Sequence, residues 1–200
     1  GGNLNLINLT GAEVMAHEGA SKNIPGMTSG LSEGDIVKIG KEVELEVLDT
    51  PGHTMTHICL LSKTDKPALF SGDTLFNAGA GNCHNGGHPE ELYETFYRQF
   101  RNLPDTTLIY PGHDYLKNNL EFTLDREPNN ENAQKLLNSI KNSEAGSVIT
   151  NLKMENNINT FFRLSNSTII DRLRENFPEL SSNPSQKEVF LLLRQLRNKW

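Results

Sequence analysis

Three times in this chain a run of strand length reaches a glycine and is followed at once by a side chain able to bind a metal. The alternating stretch Val43-Glu44-Leu45-Glu46-Val47-Leu48 leads through Asp49-Thr50-Pro51-Gly52 to His53, Ala68-Leu69-Phe70-Ser71-Gly72 leads to Asp73, and Thr107-Leu108-Ile109-Tyr110-Pro111-Gly112 leads to His113. Alternation marks a half-buried strand, and a short apolar run between turn residues marks a buried one. Turns held by rigid strands keep a side chain both fixed and accessible. Strands that offer His, Asp and His to a common rim therefore point to a sheet whose edge carries a metal site. A further histidine, His57, stands four residues after His53 and just ahead of the apolar run Ile58-Cys59-Leu60-Leu61. It reads as a support behind the ligands, or as a strand-packing residue.

At 200 residues the chain is long enough for one domain with an appendage and a real core. No run approaches the apolar length of a bilayer span, and no basic-then-apolar stretch resembles a signal peptide, so the expectation is a cytoplasmic protein with no membrane partner. The net charge of −6 argues against nucleic acid, which needs a basic face to displace counterions. Arg194, Arg197 and Lys199 cluster on the last predicted helix, and they read as a solvated face. With only Cys59 and Cys83 present there is no disulfide framework, which fits a reducing compartment.

Along the chain, Glu13 to Ala16 suggests a short strand, Gly19 to Gly34 an exposed loop, and Ile36–Ile39 with Val43–Leu48 a hairpin around Gly40-Lys41-Glu42. The stretch from Gly79 to His88 is too rich in glycine for regular structure, which makes His84 and His88 loop residues. Pro89, Glu90 and Glu91 open a helix whose inner face is Leu92, Phe96, Phe100 and Leu103. Beyond His113 the pattern changes to helices: one on Leu116, Leu120 and Leu124, one from Asn130 to Ser143, then Ser167 to Phe177 and Ser185 to Trp200. Asn151 to Phe162, rich in asparagine, reads as irregular. The order of strands with helices followed by helices alone predicts an α/β body and an all-helical C-terminal domain, divided as 1–113 and 114–200.

The motifs T-P-G-H-T at Thr50 to Thr54, G-D-T-L-F at Gly72 to Phe76 and G-H-D-Y at Gly112 to Tyr115 resemble the metallo-β-lactamase superfamily. Asn118 to Phe122, Glu127-Pro128-Asn129-Asn130, Asn159 to Arg163 and Leu196 to Trp200 narrow the resemblance to glyoxalase II, the hydroxyacylglutathione hydrolases. The fold this implies is an αββα sandwich followed by a helical substrate-binding domain. The resemblance implies two divalent metal ions, zinc with iron and manganese as alternatives. His53 would be a terminal ligand of one, His113 of the other, and Asp73 the bridging carboxylate of the catalytic centre. Two ions ~3.5–4 Å apart can hold a hydroxide of lowered pKa that attacks a thioester carbonyl. The implied partner is a small-molecule glutathione thioester, 2-hydroxyacyl-glutathione such as the lactoyl adduct of methylglyoxal detoxification, and the chain is read as a monomer.

The family's T-H-x-H-x-D-H motif is not in this chain, and relatives carry a Gly-Gly or similar pair soon after it. Because the chain starts at Gly1-Gly2, the expectation is that upstream strands bearing the remaining ligands have been cut off, leaving a strand edge and apolar surface exposed. On the substrate side the resemblance gives Tyr115 and Arg163 the glutathione moiety; interdomain packing and a structural ion pair are their alternatives. The family's lysine and tyrosine in the glycine-rich loop stand here as Asn82 and His84, and no lysine follows Arg163 in Leu164-Ser165-Asn166-Ser167, so another thiol carrier is an alternative. Two other functions compete: a mononuclear-iron persulfide dioxygenase, and a catalytically dead binding module.

Overall fold

The structure, a computed structural model, describes residues 2–141, 144 and 146–200. A short helix, α1 (Asn3–Thr10), precedes β1 (Met15–His17) and β2 (Ser29–Leu31), which pair in parallel. This corrects the loop expected over 19–34. Three residues around Gly30 carry no periodic signal of their own, and β2 exists because β1 offers it a partner while Leu31 is buried.

The main sheet takes its strands from β3 (Ile36–Ile39), β4 (Val43–Asp49), β5 (Ile58–Ser62), β6 (Ala68–Gly72), β9 (Leu108–Pro111) and β10 (Thr150–Asn151), in the spatial order β10-β9-β6-β5-β4-β3. The hairpin of β3 and β4 forms as expected, with Ile39 opposite Val43. Between β6 and β9 lie a two-stranded hairpin, β7 (Leu75–Phe76) and β8 (Gly79–Ala80), and the helix α2 (Pro89–Thr95). His88 caps α2, accepting the Glu90 N–H, with Pro89 in the first turn. A single π-helical turn, Phe96–Phe100, continues it and keeps the Phe96 and Phe100 rings inside while Tyr97 stays exposed.

One face of the sheet, Leu48, Cys59, Leu61, Leu69 and Ile109, is buried against α2 and the C-terminal helices. The other carries the cross-strand row Val47, Leu60, Phe70 and Tyr110. There Phe70 stacks on Tyr110 yet is 44% exposed, as is Ile39 on the edge strand at 57%. This is the apolar surface and open edge expected from the sequence.

The C-terminal segment contains α3 (Leu116–Arg126), α4 (Glu131–Ser139), α5 (Leu152–Ile158), α6 (Ser167–Asn176) and α7 (Gln186–Arg197). The helix expected from Asn130 starts at Glu131 with Asn130 as its cap; Ser143 lies outside the described residues. Two expectations need correction. The segment is not wholly helical, because β10 pairs antiparallel with β9 and extends the sheet. Nor is 151–162 irregular. Asn151 accepts the Met154 N–H as an N-cap, and Leu152, Glu155 and Ile158 share the buried side of α5, so its asparagines serve as caps and solvated positions. The segments 1–113 and 114–200 share one core, in which Phe190 of α7 stands edge-on to Phe96 (centroids 5.3 Å) and Phe161 (5.1 Å).

At the centre of this junction is Glu155, fully buried, whose carboxylate accepts from Thr150 Oγ1 (2.6 Å), Asn159 Nδ2 (2.8 Å) and the Ala78 N–H (2.9 Å). Burial outweighs these donors and pushes its pKa up to about 7. The folded protein therefore binds this proton more tightly than the unfolded chain, and the associated stability is present below the ordinary glutamate pKa of about 4.5 and lost as pH rises through about 7. Glu155→Gln is expected to flatten that part of the stability profile, measured as urea midpoints from pH 4.5 up to about 7, an interval set by the same two values.

Candidate metal centre

In the sheet β5 runs antiparallel to β4 and β6, and β9 runs parallel to β6, so β4, β6 and β9 all point to the same rim. The turn after β4 is closed by Thr50 N–H to His57 O (3.0 Å) and pressed onto α2 by Thr95 Oγ1 donating to Pro51 O (2.7 Å). Gly52 is required there: its φ is 142°, and a Cβ would overlap the Leu92 backbone. Asp73 leaves the end of β6. The Gly112 N–H donates to Gly72 O (2.8 Å), which ties the end of β9 to the end of β6, and a Cβ on Gly112 would lie 2.6 Å from Asp73 Oδ1. Glycine at 112 thus lets His113 come up beside the carboxylate.

The three residues read from the sequence are brought together. His53 Nε2 and His113 Nε2 lie 3.7 and 3.6 Å from the same oxygen, Asp73 Oδ2. His53 Nδ1–H donates to Asn82 O (2.7 Å), which turns the other ring nitrogen, Nε2, towards Asp73, where a metal would take it. Among the described residues no group of three or more His, Cys, Asp or Glu gathers as one metal cage. The arrangement is two imidazole–carboxylate halves hinged on Asp73. A catalytic ion takes about three protein ligands, so these residues fit a shared-carboxylate pair and supply part of each ion's shell.

His57 sits directly behind. The Asp73 N–H donates to its Nε2 (3.3 Å), which leaves the proton on Nδ1, facing Thr50 Oγ1 (2.8 Å) and Thr74 Oγ1 (2.9 Å). Burial, and then the neighbouring His53, push its pKa down to about 4, so it is neutral at physiological pH. Neutral His57 links the turn after β4 to the turn after β6.

Beside the centre a cleft of about 270 Å³ is lined by Asn82, His84, Tyr115, Asn119, Arg194 and Arg197, among others. Tyr115 packs between Phe76 (5.1 Å) and His113 (5.5 Å), joining the cleft to the metal rim. The structure corrects two readings of cations. Arg163 is not offered to this cleft: its Nε and Nη2 grip Glu127 (2.7 and 2.6 Å), and Nη1 bonds Asn156 O. Conversely, only Lys199 of the C-terminal cluster belongs to a solvated face. Arg194 is 4% exposed and donates to Ala80 O and Gly81 O, and Arg197 is half-buried and bonds Asn119 Oδ1 (3.1 Å). The signal for both was in the sequence. Phe190, Leu193, Arg194 and Arg197 fall at i, i+3, i+4 and i+7, one inward stripe of α7. His17 is partly buried and lies 3.5 Å from Asp49.

Comparison with known proteins places this geometry. A hydroxyacylglutathione hydrolase of Polaromonas sp. is 57% identical over 201 residues, covering all of this chain and 76% of that protein. The chain belongs to the hydroxyacylglutathione hydrolases. A second member, from Nitrosococcus oceani, is 56% identical over the same coverage. The metallo-beta-lactamase superfamily model matches residues 28–113 and the hydroxyacylglutathione hydrolase C-terminus model residues 114–200. Among solved structures, ETHE1 from Myxococcus xanthus matches with a TM-score of 0.59 and 25% identity, over 90% of this chain and 64% of that one. The family thus confirms the α/β sandwich with a helical C-terminal part.

The Arg163–Glu127 pair is close to buried on both sides, with side-chain exposures of 23% and 5%. Removing the guanidinium leaves a carboxylate without its cation. Arg163→Ala is therefore expected to cost about 3 kcal/mol in urea unfolding, while glutathione binding measured calorimetrically stays unchanged.

Proposed function

We propose that the protein hydrolyses S-(2-hydroxyacyl)glutathione, such as lactoylglutathione, to glutathione and a 2-hydroxy acid in methylglyoxal detoxification. The observation that carries this reading is the convergence of His53, Asp73 and His113 on one rim of a hydroxyacylglutathione hydrolase chain. In the reaction a water oxygen bonds to the acyl carbon, the carbon–sulfur bond breaks, and the thiol leaves with a proton.

His53, Asp73 and His113 would hold a pair of divalent ions, Asp73 giving its carboxylate to both. Imidazole with carboxylate suits zinc, and also iron or manganese. Bound there, the ions supply a Lewis acid and a water of lowered pKa. Asn82 fixes the His53 tautomer through its carbonyl, and His57 steadies Asp73 by accepting its N–H. His113 packs against Tyr115, which lines the cleft.

In that cleft Tyr115 and Arg197, with Asn82 and His84, take the glutathione portion. A guanidinium suits the tripeptide's carboxylates, and Arg197 occupies the role first given to Arg163. Arg194 is committed to loop carbonyls, so it shapes the cleft floor. We place the enzyme in the cytoplasm, acting as a monomer; its two free cysteines suit a reducing compartment. The persulfide dioxygenase reading is less supported, because residues 114–200 match the hydrolase C-terminus.

The protein, expressed with any residues its gene encodes before Gly1, is expected to cleave lactoylglutathione and to carry about two metal ions per chain by elemental analysis. Asp73→Asn lowers kcat by ~100-fold or more and reduces the bound metal. Arg197→Ala raises KM roughly tenfold with kcat retained, the signature of lost uniform binding. A protein that binds glutathione but shows no turnover with metal restored would instead be a binding module.

A further inference from the structure

The segment from Asp73 to Asn82 is a hairpin with both ends in the metal centre and its tip in the buried heart of the molecule. At one end stands the Asp73 carboxylate, at the other the Asn82 carbonyl that accepts from His53 Nδ1–H. Its base is closed by Gly81 N–H to Thr74 O (3.0 Å), and β7 pairs with β8, Leu75 opposite Ala80 and Phe76 opposite Gly79. The turn at its tip is Asn77-Ala78. Ala78 has a φ of 55°, and among the described residues it is the one non-glycine in the left-handed region. Alanine is strained in that region, and such strain persists only where the surroundings over-determine it.

Those surroundings come from the C-terminal segment. Glu155 accepts the Ala78 N–H (2.9 Å), and the same oxygen accepts from Asn159 Nδ2, which also bonds Gly79 O (3.1 Å). Asn77 Nδ2 donates to Thr150 Oγ1 (2.7 Å), which donates on to Glu155 (2.6 Å), and Asn119 Nδ2 holds Asn77 O (2.8 Å). Four polar groups at the tip, Asn77 O, Asn77 Nδ2, the Ala78 N–H and Gly79 O, are thus tied to α3, β10, α5 and its C-cap Asn159, with Glu155 at the centre.

We propose that Glu155 is a positioning residue for the metal centre: by fixing the tip of the 73–82 hairpin it fixes both the Asp73 carboxylate and the carbonyl that orients His53. The helical segment then does more than bind substrate. It sets the geometry of ligands that lie on the sheet segment. This inference rests on the metal-centre reading above.

The test is NMR of the metal-free protein, with any upstream residues retained, following the ring N–H of His53 that bonds Asn82 O, together with steady-state kinetics of the metal-loaded protein. In Glu155→Ala the N–H resonance is expected to be lost to exchange, with kcat down roughly tenfold to 100-fold and KM unchanged. Glu155→Gln should restore both, since its amide oxygen can accept from Ala78 and Asn159 while its NH2 faces Thr150 Oγ1. Thr150→Val, a milder change that keeps the fold should Glu155→Ala fail to fold, is expected to broaden the resonance and lower kcat in the same direction. Leu173→Ala, a buried core truncation in α6, should lower the unfolding midpoint without moving the resonance. A His53 N–H that survives in Glu155→Ala and Thr150→Val, or that moves equally in Leu173→Ala, overturns the proposal, as does its absence from the unmutated protein. If the resonance responds as expected while no variant hydrolyses thioester, the positioning role stands and the assigned reaction fails.

Discussion

The parallel pairing of β6 with β9 is the constraint on which the rest depends. The main sheet is otherwise antiparallel, and this one parallel contact brings two strand ends that are 40 residues apart in sequence to the same rim, so that Asp73 and His113 emerge side by side. A parallel neighbour needs a crossover connection. Here the crossover is the 73–82 hairpin followed by α2, and both parts are put to use. The hairpin carries the carbonyl that orients His53, and α2 buries the face of the sheet opposite the exposed Phe70. The close approach of Gly112 to Asp73, and of Gly52 to α2, are local consequences of that packing.

Charge inside the protein follows a consistent division. Arg163 and Glu127 neutralise one another away from the cleft, Arg194 is consumed by two carbonyls, and Arg197 keeps part of its guanidinium at the cleft. Guanidinium groups suit this partition because their fork can satisfy several acceptors at once, whereas a single ammonium cannot. Low pKa at His57 and high pKa at Glu155 express the same burial acting on groups of opposite charge type. A neutral imidazole serves as a fixed acceptor behind Asp73, and a buried carboxylate gathers the donors of a strained turn.

The two sequence segments are one mechanical body. Phenylalanines from the π-helical turn after α2, the 159–163 turn and α7 share a core, and β10 extends the sheet that bears the candidate metal rim. The polar network around Glu155 adds direction to that core, since each hydrogen bond there has a defined partner while apolar contacts tolerate sliding.

The sequence by itself determined the elements whose signal is local. The three strand–glycine turns ahead of His53, Asp73 and His113, the β3–β4 hairpin, the Pro89 opening of α2 and the leucine spacing of α3 are legible because turn chemistry and periodicity act over a few residues. His53, Asp73 and His113 stood out as candidate ligands at those turns, and motif order pointed to the family. What tertiary structure decided was every choice between two partners. β2 and β10 are too short to signal strand and form only because a neighbouring strand offers hydrogen bonds. Whether an arginine faces solvent, a cleft or a buried carboxylate is set by what packs against it, which is why Arg163 pairs with Glu127 and Arg197 lines the cleft. Neither the raised φ of Ala78 nor the burial of Glu155 has a mark in the sequence, because both arise where segments 77 positions apart meet.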